Sequence, residues 1–88
     1  DTEYLAVELR GTRKKKPARV TLYCRTDADR AWNVPAGTYD TAIPPSIIAQ
    51  MVAKGTVSDR GVFPPELVVP PSPFFAELRK RNIKVFKK

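Results

Sequence analysis

The chain contains no histidine and one cysteine, Cys24, in 88 residues. Those two scarcities exclude an internal disulfide, the common zinc sites and any Ser/His or Cys/His catalytic pair. Glycine is sparse as well. Only Gly11, Gly37, Gly55 and Gly61 occur, and they form neither a Gly-x-Gly-x-x-Gly turn nor a phosphate loop ending in Gly-Lys-Ser/Thr, so no nucleotide cradle is expected. The carboxylates are scattered rather than clustered as a Mg²⁺ or Ca²⁺ site requires. No apolar run approaches membrane-spanning length and no charged-then-apolar leader is present. The expectation is a soluble, cytoplasmic protein or excised domain with no membrane partner.

Acidic charge is the minority: nine Asp/Glu against sixteen Lys/Arg, a formal net charge of +7. The excess falls into three groups, Arg13-Lys14-Lys15-Lys16, Arg79-Lys80-Arg81, and Lys84, Lys87 and Lys88. The first adjoins a turn and the second stands in the last turn of an expected helix, where cations meet the helix dipole favourably. No aromatic platform is interleaved with these groups, which argues against a nucleic-acid partner.

At this length the chain makes one small domain that buries only about 60–65% of its unfolded surface. Glu3 to Arg10 alternates, with Leu5, Val7 and Leu9 on one side, and Arg19 to Arg25 repeats the period with Val20, Leu22 and Cys24. An antiparallel β-hairpin over residues 1–26 is expected, joined by a loop from Gly11 to Pro17. Residues 27–40 read as an irregular loop. Trp32 within it either plugs a core or meets a partner, and the core is the expectation, because an indole buries too much surface to be left in water cheaply.

Proline is tolerated in the first turn of a helix, so Pro44 and Pro45 predict a helix from Pro44 to Lys54, stopped by Gly55. Ile47, Ile48, Met51 and Val52 give it an apolar stripe to lie on the hairpin. Tyr39, Asp40 and Thr41 would stand before that helix, with Asp40 or Thr41 as its cap or the amides as an anion site. A second helix is predicted after Ser72, with Pro73 at its first position and Phe74, Phe75 and Leu78 buried, ending at Asn82. Ile83 to Phe86 suits a short strand. The fold class is α+β: a hairpin, two helices and a C-terminal strand, with residues 41–88 as the helix-loop-helix-strand part.

Several segments together carry a resemblance. Asp40-Thr41-Ala42-Ile43-Pro44-Pro45 opens an aliphatic helix, followed by Lys54-Gly55-Thr56-Val57, then Arg60-Gly61-Val62-Phe63-Pro64-Pro65-Glu66, Pro73 to Leu78, and Arg81-Asn82-Ile83. In order and spacing this resembles the C-terminal part of the saccharopine dehydrogenase family. Ala42 stands where that family carries glycine, Asp40 where it carries threonine, and Asn82 where it carries glycine.

The resemblance implies a fragment of a larger mixed α/β substrate domain, belonging to an NAD- or NADP-dependent oxidoreductase that acts on a secondary amine. The nicotinamide would sit on an N-terminal Rossmann domain absent from this chain, which alone would be inactive. Rossmann domain and substrate domain would be partners within one polypeptide, and a homodimer is implied. Thr41, Ala42 and Pro44 would line the substrate side of the interdomain cleft. No residue here is expected to be catalytic, cofactor-binding or metal-binding. Two other readings stay open from the residues: a small basic nucleic-acid-binding module, and an oligomerisation element whose open hairpin edge pairs with a partner.

Overall fold

Alternation of apolar and polar residues does produce a hairpin, and a longer one than its sequence signals. The computed structural model describes residues 1–88, with β1 (Thr2–Arg13) and β2 (Lys16–Asp27) paired antiparallel from Thr2↔Asp27 to Arg13↔Lys16. The expected loop from Gly11 to Pro17 is thus strand on both sides of a two-residue turn. Lys14 and Lys15 take φ of 52° and 65°, the left-handed pair of a type I′ turn, whose twist matches the flanking strands.

The chain continues through α1 (Ala36–Ala53), α2 (Pro65–Val68), α3 (Pro71–Lys80) and β3 (Lys84–Lys87). The sheet order is β1-β2-β3, with β3 antiparallel to β2 through Cys24↔Val85. The α+β class and the hairpin, helices and closing strand are therefore present, with α2 as one additional short helical turn.

Helix α1 begins eight residues before the predicted start. Its first amide, at Ala36, donates to Asp1 Oδ1 at 3.1 Å, so the cap comes from the chain's first residue and not from Asp40 or Thr41. Pro44 and Pro45 lie inside the helix. The segment 27–40 is also more ordered than a loop: Asp29 and Val34 bridge antiparallel and the Asp29 carboxylate accepts from the Trp32 amide at 2.8 Å. Trp32 is 77% exposed, contrary to its expected place in the core. In α3 the flanking residue is Pro70 and Pro71 opens the helix, so Ser72 is not its cap. Asn82 lies beyond the helix at φ 65°, where its side chain tolerates the left-handed region.

The core is Ile47, Met51, Val57, Leu78 and Ile83, with Cys24, Tyr39, Ile43, Val68, Val69 and Phe74 packed around it. Helix α1 therefore rests on α3 and on β2, with its first turns beside the start of β1. Of the hairpin stripe only Cys24 joins this cluster. Leu5, Val7 and Leu9 remain 52%, 52% and 57% exposed, so the expected burial of the helix against that stripe does not occur. The hairpin projects instead. The radius of gyration is 15.2 Å, against about 12 Å for a compact chain of this length.

Candidate functional site

Asp40, Thr41 and Ala42 occupy the second turn of α1, and the two prolines that follow change what this turn offers. In an α-helix each carbonyl accepts from the amide four residues on. Pro44 and Pro45 carry no N–H, so the Asp40 and Thr41 carbonyls lack their usual donors. Thr41 and Ala42 are exposed and Pro44 is half-buried. The Thr41 hydroxyl donates backwards to the Gly37 carbonyl at 2.6 Å, which satisfies it locally. Sequence reasoning placed the amide-rich start of a helix here; the structure places carbonyl acceptors on a helix interior.

Acidic groups reinforce that polarity. Glu3, on β1 opposite Thr26, reaches α1 so closely that a Cβ on Gly37 would come within 2.9 Å of Glu3 Oε2. Asp40 lies one turn further along α1. The negative charge of Asp40, helped by desolvation and by a hydrogen bond between the two side chains, raises the Glu3 carboxyl above its ordinary value. Asp40 Oδ2 and the hydroxyl of buried Thr26 have no hydrogen-bond partner. Burial raises the Cys24 thiol on the same sheet face above its ordinary value.

Glu3, Thr26 and Gly37 were not singled out by sequence reasoning. No motif spacing joins β1 to α1, and only the Glu3↔Thr26 register brings them together. Thr41, Ala42 and Pro44 do share one stretch of α1. The anion-site alternative for that stretch is not met, because amides there are already in helical register and the neighbouring side chains are acidic.

A dinucleotide does not fit these residues. Gly11 lies within β1, and Gly55 and Gly61 are in connections. Gly37 is the single glycine near a helix start, and the Glu3 carboxylate holds the space where a pyrophosphate would need donors. No group of three or more His, Cys, Asp or Glu converges as metal ligands. No helix is long and apolar enough to cross a membrane.

The model of one family, described as the saccharopine dehydrogenase C-terminal domain, matches residues 2–83. No solved structure matches the chain.

Proposed function

The chain belongs to the saccharopine dehydrogenase C-terminal domain family, and from that premise we propose that it is the substrate-side segment of an NAD- or NADP-dependent oxidoreductase acting on a secondary amine. Hydride would pass between a nicotinamide held on a Rossmann-type domain of the parent polypeptide and the C–N bond of an amine joining amino-acid or polyamine parts. The segment alone would be inactive.

The observation that carries the site assignment is the acceptor set on α1. The carbonyls of Asp40 and Thr41, which lack their helical amide donors, the Asp40 carboxylate and nearby Glu3 favour a protonated amine, which brings N–H donors and positive charge, over a substrate carboxylate. Thr41, Ala42 and Pro44 then form the contact surface, and the Ala42 methyl narrows the approach relative to glycine.

Steady-state kinetics on the full parent polypeptide test this. Asp40→Asn should raise the KM for the amine while leaving the KM for the nicotinamide unchanged. Absence of any nicotinamide-linked turnover of secondary amines would overturn the reading of the reaction. An unmoved amine KM in Asp40→Asn would overturn the site.

A further inference from the structure

Charge on this chain is unevenly placed. From Leu9 to Thr26 there is no acidic residue, and Arg10, Arg13, Lys14, Lys15, Lys16 and Arg19 all lie in the distal half of the hairpin, each of them exposed. Arg10 Nε donates to Glu8 Oε1 at 2.6 Å. The others make no ion pair.

The hairpin holds these cations where they work against its stability. Arg10 stands directly opposite Arg19, and Arg13 opposite Lys16, placements in which like charges repel. Lys14 and Lys15 occupy the left-handed turn that Asn-Gly would hold with less strain. Local rules broken together, with no compensating contact inside the chain, are the mark of a surface that serves a ligand. Unpaired Lys and Arg are almost never buried, so this end of the hairpin stays out of apolar packing, whatever else covers the sheet.

The register sorts the cations by face. Side chains alternate along a strand, so Arg10 and Arg19 lie on one face of the ribbon, Arg13 and Lys16 on the other, and Lys14 and Lys15 at its end. Beyond Leu9 and Val20 the only apolar side chains are those of Pro17 and Ala18.

We infer that this tip is a docking surface for double-stranded DNA, entering the major groove as a two-stranded ribbon and meeting phosphates on both sides. That groove is about 12 Å wide and admits such a ribbon, and with a phosphate strand along each wall it engages both charged faces at once. A flat anionic surface does not. Laid flat, the ribbon offers it one face; stood on its turn, it holds Arg10 and Arg19 four residues back, about 13 Å by strand rise, beyond the ~8 Å over which charge acts at physiological salt. No aromatic residue lies between Arg10 and Arg19, so a single strand has nothing to stack on. Duplex phosphates need only cations. Phosphate contacts read no bases, and the binding is expected to be indifferent to sequence. The inference does not rest on the oxidoreductase chemistry, and its test reads binding and melting alone.

Fluorescence anisotropy of the full parent polypeptide on a labelled duplex of about 20 base pairs should give micromolar binding at low salt, with a log–log salt slope of roughly −5. Arg10→Gln with Arg19→Gln on one face, and Arg13→Gln with Lys16→Gln on the other, should each weaken binding by about tenfold and flatten the slope by about 2. Arg19→Thr alone, which leaves the Arg10 to Glu8 pair in place, should raise the melting temperature while weakening binding. A solvated surface would show the first effect without the second. A single strand of the same length, phosphatidylserine vesicles and polyglutamate should each bind at least about tenfold more weakly than the duplex. Absence of duplex binding at low salt, equal affinity for any of those three anions, or a loss confined to one face of the ribbon overturns the proposal.

Discussion

Tyr39 donates its phenolic hydrogen bond to the Arg81 carbonyl at 3.0 Å, tying the first turns of α1 to the residue that ends α3. Arg81 is itself held, its Nη1 donating to the Glu77 carbonyl at 3.0 Å and to Glu77 Oε2 at 2.7 Å. The bond lies beside the core, where Tyr39 packs against the buried cluster. Tyr39→Phe keeps the ring and leaves the carbonyl without its donor, so a loss of about 0.5–1.5 kcal/mol is expected. Urea unfolding measures it, and an unchanged midpoint would show that the contact contributes nothing.

Apolar positions on α1 should differ in what they contribute, Ile47 against Val52. Ile47 is 1% exposed and central to the core, whereas Ile48 is half-buried beside Pro65, Pro71 and Phe75. Ile47→Ala should cost about 2–5 kcal/mol, enough to unfold much of a domain this small. Val52→Ala, at a site 55% exposed, should stay within about 0.5 kcal/mol. Thermal melts of the pair decide whether α1 is rotated as described.

The turn at Lys14 and Lys15 gives a stabilising prediction. Both residues hold left-handed backbone, a region that costs side-chain-bearing residues roughly 1–2 kcal/mol and that Asn-Gly adopts readily. Changing Lys14 to Asn and Lys15 to Gly together should raise the melting temperature, by about 1 kcal/mol of added stability. A lower melting temperature would mean that the turn is not type I′.

These sites also mark what could be read from the residues beforehand. Strand alternation identified β1 and β2 because period two survives even where the face stays uncovered. The turn was hidden, since Lys-Lys lacks the Asn-Gly signature, and its conformation is imposed by the register of the strands on either side. The start of α1 was hidden for a different reason. Pro35 offers no side-chain cap, and the group that satisfies the Ala36 amide is Asp1, 35 positions away. With that cap invisible, Pro44 and Pro45 looked like a helix start. Thr41 and Ala42, which the family resemblance singles out, therefore lie in a helix interior and not at the amide end that the prolines suggest. Glu3 could not be paired with Asp40 without the fold, because that contact depends on where α1 crosses β1.

That contact sets an unusual pH response. Glu3 is held above its ordinary value by Asp40, so its protonated form is the better fit to the fold. The stability linked to it is fully present below the unfolded glutamate value and is lost as pH rises through the raised folded value. Asp27 and Glu77 act oppositely. Asp27 is lowered chiefly by the hydrogen bond from Thr2, and Glu77 by the bonds from Arg81 and Lys80. Their contributions are present above the unfolded carboxylate values and are lost as pH falls through the depressed folded values. Glu3→Gln removes the first effect and leaves the second, so it should stabilise the chain near neutrality and leave a simple decline towards acid. Melting temperatures from acid to neutral pH, with Glu77→Gln as the opposite case, check the signs. If Glu3→Gln lowers stability at neutral pH, the two carboxyl groups do not repel each other, and the acidic character assigned to this end of α1 falls with them.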